Sequence, residues 1–263
     1  TQAPVAGGVG LGKEAKTGHT AGGSQVQGTG VGADEEGEAA REAGQLPHVA
    51  KGNVHVPEQV LGGGGIRELD QQGIGTVAAQ IPEQSYVFGW SLGGLIAIAL
   101  AAAFPQQVRQ LALIAATPKF LATPDWPGMR AEVMQQFSTA LTVNLSQTIQ
   151  RFLAIQAMGS EHARQDILKL RESIAAYPPP QAQAVALALT LLAQTDLRQT
   201  FAELTLPIVG CYGRLDSLVP VSVVQMLQAL QPQARFTVLP KASHAPFISH
   251  PAEFCSWLRS VVQ

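Results

Sequence analysis

The feature that most constrains this chain is a serine set between a short apolar run and a long one. Tyr86-Val87-Phe88 leads into Gly-Trp-Ser-Leu-Gly-Gly at residues 89–94, and an Ala/Leu/Ile run then continues to Phe104. This pattern predicts a strand, a sharp turn at Ser91 and a helix. Glycines two places either side of the serine let the backbone turn without a Cβ clash. A chance match in a loop would lack the strand and the helix, so we predict an exposed Ser91 hydroxyl beside a helix N-terminus that favours negative charge.

From Thr76 onward the chain alternates predicted strands and helices. Strands are predicted at Ser85 to Gly89, Val108 to Ala116, Leu206 to Gly213 and Arg235 to Leu239. Near-continuous apolar strands separated by helices are typical of a parallel sheet covered on both faces. Helices alone are predicted between the second and third strands, at Gly128 to Leu141, Ser146 to Met158, Glu161 to Tyr177 and Gln181 to Ala193. We therefore predict an α/β core over 76–117 and 201–263, with an inserted helical cap over 118–200.

Residues 1–75 differ from the rest of the chain in composition. They hold 19 of the 26 glycines and no Phe, Trp or Tyr. Glycine and proline make up 22 of the 75 residues, a proportion that indicates low complexity or disorder. Such a segment cannot bury enough apolar surface to offset the entropy lost on ordering. We interpret 1–75 as low-complexity sequence, either disordered or mistranslated, so that the N-terminal part of the sheet is missing from the chain as written.

Composition and charge argue against several classes of function. A formal net charge of -2 is unlike that of a nucleic-acid binder. The longest apolar runs, Leu95 to Phe104 and Ala184 to Ala193, are about half as long as a membrane-spanning helix requires, and no signal peptide is visible. The cytoplasm is therefore the expected compartment. Cys211 and Cys255 are predicted to be small buried residues rather than a disulfide. No residues cluster at metal-ligand spacing, so neither a metal nor a cofactor is expected.

A serine hydroxyl becomes a nucleophile only beside a base that is itself oriented. Asp216 follows the third predicted strand, so its carboxylate should lie at the same sheet edge as Ser91. Its alternative role is a turn or N-cap aspartate before the next helix. His244 follows the last strand and can return over that edge to take a proton from Ser91. His250 is the alternative base, although Ser249-His250-Pro251 has the pattern of a helix cap.

Several further motifs accompany the serine motif. They are Asp-Trp-Pro-Gly at 125–128, Arg-Phe-Leu-Ala at 151–154 with Met-Gly at 158–159, Ala-Arg-Gln-Asp at 163–166, Thr-Asp-Leu-Arg at 195–198, Tyr-Gly at 212–213 with Leu-Asp at 215–216, and His-Ala-Pro-Phe-Ile-Ser-His-Pro-Ala-Glu-Phe at 244–254. On these motifs the chain from about Thr76 onward resembles the α/β-hydrolase superfamily. Within that superfamily it resembles the BioH family of carboxylesterases, the pimeloyl-acyl-carrier-protein methyl ester esterases of biotin synthesis. The order serine, acid, histidine is the order that this superfamily uses.

The resemblance implies an α/β-hydrolase fold and a role for each site residue. Ser91 would be the nucleophile, His244 the general base and Asp216 the acid that orients the base. The main-chain N–H of Leu92 would donate to the oxyanion, and Trp90 and Phe152 would line the acyl pocket. The reaction implied is hydrolysis of the methyl ester of a pimeloyl chain on acyl-carrier protein, through an acyl-enzyme and without a cofactor.

The resemblance also implies a contact with the carrier protein. Arg151 and Arg164 match basic cap positions that in the family contact the carrier side of the substrate, whereas two further basic positions are Gln147 and Leu168 here. The alternative is an ordinary solvated helix face, because the cap carries seven basic and six acidic residues. We expect a protein-borne ester as the partner, no nucleic acid, no membrane, and a monomer.

Residues 1–75 depart from the family pattern. The family's first strand ends in a His-Gly-Trp-Gly turn that supplies the second oxyanion donor and a pocket tryptophan, and this turn does not occur in 1–75. Our hypothesis is that the segment is translated in the wrong reading frame, with the correct frame resuming near Thr76. Two alternative functions stay open: an α/β-hydrolase acting on another small ester or lactone, and an inactive product with an incomplete oxyanion hole. Loss of one oxyanion donor costs about 100- to 1,000-fold in rate.

Overall fold

The computed structural model describes residues 71–156, 162–175 and 181–263. The described strands form one parallel sheet in chain order: β1 (Ser85–Trp90), β2 (Val108–Ile114), β3 (Ile208–Gly213) and β4 (Arg235–Leu239). The described helices are α1 (Gln71–Ala78), α2 (Leu92–Ala103), α3 (Ala131–Val143), α4 (Leu145–Gln156), α5 (Ala163–Ala175), α6 (Ala182–Gln194), α7 (Arg198–Glu203), α8 (Val223–Leu230), α9 (Pro246–Ser249) and α10 (Pro251–Val262). Because every strand runs the same way, the carboxyl ends of all four meet at one edge of the sheet.

The central strands are buried on both faces, as their continuous apolar sequence predicts. Alternate residues of β2 enter different clusters: Leu111 and Leu113 pack with the α1 and α2 side, and Ala112 and Ile114 pack with Trp257 on the α10 side. This alternation is the period of two that a strand imposes on its side chains. Helices therefore cover both faces and leave the carboxyl edge of the sheet as the place for a site.

The predicted cap segment, residues 118–200, is anchored where the chain enters and leaves it. Lys119 and Asp196 form an antiparallel bridge and an ion pair with an N–O distance of 2.7 Å. The N–H of Leu197 donates to the carbonyl of Pro118 at 2.9 Å. Inside the segment, α3 and α6 pack around a separate apolar cluster that includes Met134 and Leu189. The cap segment thus has a small core of its own, and its two ends are bonded to each other.

The helices of the described residues differ in two respects from the sequence-based expectation. The boundary placed between 75 and 76 falls inside α1, because Ile74 is buried in the sheet core. A lone isoleucine among Gln and Gly residues gives no periodic signal, so residues 71–75 could not be predicted as part of this helix. The short helices α7 and α9 were not predicted either, since four to six residues are too few to show a period. The assignment of residues 1–70 lies outside the described residues.

The prediction that both cysteines are buried is correct for Cys211 and wrong for Cys255, which is exposed. In α10 the buried positions are Phe254, Trp257, Val261 and Val262. Phe254, Trp257 and Val261 lie three and four residues apart and form one helix face, and Cys255 falls outside that face. No helix in the described parts of the chain is long and apolar enough to cross a membrane.

Candidate active site

Ser91 occupies a strained turn between β1 and α2. Its φ of 52° and ψ of -123° are uncommon for a residue with a side chain, and such values cluster at functional sites. The Ser91 N–H donates to the carbonyl of Ile114 at 3.1 Å, which fixes the turn to the end of β2. The turn leaves little space around its glycines: a Cβ on Gly89 would lie 2.7 Å from the carbonyl oxygen of Gly93, and one on Gly94 would collide with the Cβ of Ala116.

Asp216 and His244 reach the same sheet edge from the loops after β3 and β4. Asp216 Oδ1 accepts hydrogen bonds from the main-chain N–H groups of Leu218 and Val219, at 2.8 and 3.0 Å. Its other oxygen, Oδ2, lies 2.8 Å from His244 Nδ1, and both side chains are buried. With one oxygen held by the main chain, the carboxylate has a fixed orientation, and the ionised oxygen opposite Nδ1 favours a proton on that nitrogen.

The second nitrogen of His244 completes a chain of hydrogen bonds to the serine. His244 Nε2 lies 2.9 Å from Ser91 Oγ. With the proton on Nδ1, Nε2 is free to accept the hydroxyl hydrogen of Ser91. The structure therefore brings Ser91, His244 and Asp216 together in the geometry by which a histidine can deprotonate a serine and remain stabilised as an imidazolium.

The rival histidine lies elsewhere. His250 is the N-cap residue of α10, and its Nδ1 lies 2.9 Å from the hydroxyl of Ser249. His244 rather than His250 is therefore the histidine that bonds to Ser91. Asp216 does bond to two main-chain N–H groups, as its alternative role of turn aspartate predicts, but its second oxygen is used by His244.

The remaining core candidates lie next to this chain of hydrogen bonds. Leu92 begins α2 directly after Ser91, so its N–H is among the first four of a helix, which have no intrahelical acceptor. The indole N–H of Trp90 donates to the main-chain carbonyl of His244 at 2.9 Å, and its ring stacks edge-on against Phe247 at 5.0 Å. Trp90 thus supports the histidine loop, a contact that the sequence did not predict. The turn that in the family supplies the second oxyanion donor does not occur in residues 1–75, of which residues 1–70 lie outside the described part of the chain.

The candidates in the cap lie on α4 and α5. Phe152 is half-buried in α4, and its ring contacts that of Phe137 at 5.2 Å. Arg151 and Arg164 are exposed, as a contact with another protein requires. Leu168 lies one turn after Arg164 on α5 and is 56% exposed.

Sequence reasoning missed the residues that hold the histidine loop in place. The hydroxyl of Ser243 donates to the main-chain carbonyl of Gln156 at 2.9 Å, and both residues are buried. The N–H of Leu215 donates to the carbonyl of Ala242 at 3.0 Å. A serine before the histidine in the 241–247 loop carries no signal of a long-range contact, because its partner is a main-chain atom 87 residues away.

Other titratable groups near the site are kept neutral by burial. Burial raises the pKa of the Cys211 thiol to about 12 and also raises the pKa of Tyr212, whose hydroxyl donates to the carbonyl of Ala116 at 2.8 Å. Neither group is thus a competing nucleophile at neutral pH. Among the described residues, no group of three or more His, Cys, Asp or Glu side chains could hold a metal ion.

Comparison with known proteins agrees with this fold. The α/β hydrolase fold family matches residues 78–251. The pimeloyl-[acyl-carrier protein] methyl ester esterase of Aeromonas hydrophila is 51% identical over 178 residues, covering 68% of this chain and 70% of the relative. The protein of the same name in Klebsiella pneumoniae strain 342 is 44% identical over 179 residues, covering 68% of this chain and 70% of that relative.

Solved structures resemble the chain in fold alone. An esterase from Exiguobacterium antarcticum superposes with a TM-score of 0.64 at 19% identity, covering 72% of this chain and 73% of its own. A bromoperoxidase from Bacillus anthracis superposes with a TM-score of 0.63 at 15% identity, covering 75% of this chain and 74% of its own. Their differing names illustrate that the fold does not determine the substrate. The family match and the close relatives together show that the chain belongs to the α/β hydrolases and, within them, to the family of the pimeloyl-[acyl-carrier protein] methyl ester esterases.

Proposed function

We propose that this chain is a serine carboxylesterase that hydrolyses the methyl ester of a pimeloyl group carried on acyl-carrier protein. The observation that carries the proposal is the chain of hydrogen bonds from Ser91 through His244 to Asp216. The substrate is taken from relatives whose printed name is pimeloyl-[acyl-carrier protein] methyl ester esterase.

The first half of the reaction forms an acyl-enzyme. Ser91 Oγ attacks the carbonyl carbon of the methyl ester while its proton passes to His244 Nε2, 2.9 Å away. Asp216 stabilises the imidazolium that results, and the N–H of Leu92 donates to the carbonyl oxygen as negative charge develops on it. The carbon–oxygen bond to the methoxy group then breaks, His244 returns the proton to that oxygen, and methanol leaves.

The second half regenerates the serine. Water gives a proton to His244 Nε2 and attacks the acyl carbon, and the bond from that carbon to Ser91 Oγ breaks as the proton returns to the serine oxygen. The products are a free carboxylic acid at the end of the carrier-bound chain and the unchanged enzyme. No cofactor takes part in either half.

The cap segment is proposed to receive the carrier side of the substrate. Arg151 and Arg164 are exposed cations on two adjacent cap helices and could pair with acidic groups on a protein partner. Phe152 lies beside Arg151 and is half-buried, so we assign it to the acyl pocket together with Trp90. We propose a monomer that acts in the cytoplasm.

Serine catalysis is tested with a short-chain p-nitrophenyl ester. Ser91→Ala should lower the rate by about a thousandfold or more, since the nucleophile is lost while the binding surface is kept. Ser260→Ala is the matched control, because Ser260 is exposed on α10 and its hydroxyl bonds only locally, to the carbonyl of Trp257. Equal rates for the full chain and Ser91→Ala would eliminate the esterase assignment.

The carrier contact is tested by charge reversal. The double variant Arg151→Glu and Arg164→Glu should lower kcat/KM for the carrier-bound ester on the order of tenfold and leave the p-nitrophenyl ester unchanged. Arg259→Glu on α10 reverses an exposed charge outside the cap segment and serves as the control. An equal loss on both substrates would contradict a carrier contact. Efficient hydrolysis of small esters without hydrolysis of the carrier ester would favour the alternative of another ester or lactone.

A further inference from the structure

The loop that carries His244 is bonded to the cap segment as well as to the sheet. Ser243 precedes His244, is 1% exposed, and donates its hydroxyl to the main-chain carbonyl of Gln156 at 2.9 Å. Gln156 is the last described residue of α4. The bond therefore joins the histidine loop to the main chain of this cap helix. Because both residues are buried, water cannot readily replace the bond if it is lost.

The loop that carries His244 is also held by hydrogen bonds to residues of the α/β core. The main-chain carbonyl of His244 accepts from the Trp90 indole, and its ring is held by Asp216. The carbonyl of Ala242 accepts from the N–H of Leu215. These bonds do not involve Ser243, so removing its hydroxyl leaves the imidazole anchored. The element that loses a bond on that removal is α4.

The inner face of α4 is the part of the cap segment that this bond positions. Thr148, Phe152 and Gln156 are spaced four residues apart and share one face of the helix. Thr148 and Gln156 are buried and Phe152 is half-buried, so this face is directed inward. Gln156 bonds to the residue next to His244, so one end of this face lies close to the histidine loop. A long acyl chain on Ser91 would extend toward this face, whereas an acetyl group would be too short to reach it.

We infer that Ser243 is a positioning residue that holds the inner face of α4 at a set distance from Ser91 and so determines selectivity for long acyl chains. This inference rests on the proposed function. It assigns Ser243 no part in proton transfer. Its effect is on the rate ratio between long and short acyl esters.

The test compares p-nitrophenyl heptanoate, whose acyl chain is as long as a pimeloyl chain, with p-nitrophenyl acetate. In Ser243→Ala, kcat/KM for the heptanoate should fall about three- to tenfold, the effect of losing one buried hydrogen bond, while kcat/KM for the acetate changes less than about twofold. Ser138→Ala is the matched control: Ser138 also donates to a main-chain carbonyl, that of Met134, but within α3 and away from the histidine loop. In Ser138→Ala the ratio of kcat/KM for the heptanoate to kcat/KM for the acetate should equal that of the unchanged chain.

Ser243→Cys is the second variant, because a thiol has similar size but is a weak donor. Ser243→Cys should lower the heptanoate-to-acetate ratio of kcat/KM to a smaller extent than Ser243→Ala. It replaces Ser243→Ala in the test if that variant does not fold. An unchanged ratio in a folded variant, or an equal loss on both esters, would overturn the inference while leaving the esterase assignment intact. Absence of Ser91-dependent hydrolysis in the unchanged chain would instead overturn the proposed function and this inference with it.

Discussion

At the residue scale, the site depends on close approaches that only glycine permits. Gly89 and Gly94 lie where the turn at Ser91 meets α2 and the end of β2, and a Cβ at either position would collide with main-chain or Cβ atoms. Gly93, in contrast, has open space within 4 Å among the described residues. The backbone of Ser91 at a φ of 52° is held in place by this packing.

The two helix glycines should therefore respond to alanine with opposite signs. Gly94→Ala should lower the free energy of unfolding by about 1–3 kcal/mol, because its methyl group has to displace Ala116. Gly93→Ala should raise it by up to about 1 kcal/mol, because alanine favours the helix and no described atom is in the way. Urea unfolding monitored by circular dichroism measures both. Equal changes in the two variants would contradict this account of the turn.

The difference between Gly93 and Gly94 shows what the serine motif could and could not predict. The spacing of Gly-Trp-Ser-Leu-Gly predicted a turn and an exposed serine. The turn is present, but Ser91 is half-buried. The spacing also favoured Gly89 and Gly93 as the residues whose missing side chains make room for the turn. In the structure, Gly89 and Gly94 are the glycines at which a Cβ would collide with neighbouring atoms. The neighbour of Gly94 is Ala116, after another strand, and no local pattern reveals which residue a distant strand brings close. The bond from Ser243 to Gln156 escaped prediction for the same reason.

At the scale of elements, the cap segment is tied together where the chain enters and leaves it. Asp196 pairs with Lys119 at 2.7 Å and with Arg198 at 2.9 Å, and Arg198 also reaches Asp125 at 2.8 Å. The guanidinium carbon of Arg198 lies 5.5 Å from the centre of the Trp126 ring, within the range of a cation–π contact. Burial raises the pKa of Asp196, but hydrogen bonds from Arg198 and Lys119 outweigh it and lower the pKa to about 2.

The lowered pKa of Asp196 predicts a stability difference with a defined pH window. The charged carboxylate stabilises the fold above its ordinary pKa of 3.8, and this contribution is lost as the pH falls through about 2. Asp196→Asn should lower the free energy of unfolding by about 1 kcal/mol at neutral pH, a value reduced for solvent screening of a partly exposed group. The difference should shrink between about pH 4 and pH 2.

Urea unfolding of both proteins across this range checks the prediction. Glu253→Gln, an exposed carboxylate in the first turn of α10, is the control and should change stability by less than about 0.5 kcal/mol. A loss in Asp196→Asn that stays constant from neutral pH to pH 2 would mean that the charge on Asp196 is not what anchors the cap segment.

At the scale of the whole molecule, apolar periodicity predicted the strands and most helices from Thr76 onward, because long buried elements carry strong patterns. The family match begins at residue 78, close to where the composition changes. The order of Ser91, Asp216 and His244 along a parallel sheet was enough to predict that their side chains meet. Contacts between the histidine loop and the cap segment depended on tertiary packing and could not be predicted.

The reading-frame hypothesis for residues 1–75 remains a proposal about the gene. Translating the parent nucleotide sequence of this segment in its other two frames should reveal an apolar strand that ends in His-Gly, because the family resemblance implies a first strand that ends in this turn. The composition of 1–75, without a single aromatic residue, motivates the test. If neither frame encodes such a strand, the hypothesis is wrong.

The central claim is that Ser91, activated by His244 and Asp216, hydrolyses the methyl ester of a pimeloyl group on acyl-carrier protein. The most direct measurement is the release of methanol from that substrate by the full chain and by Ser91→Ala, with mass spectrometry of the carrier to detect the free acid. The account predicts methanol and free acid in equal amounts from the full chain, and a rate lower by about a thousandfold or more in Ser91→Ala. No methanol release by the full chain, or equal release by both, would contradict it.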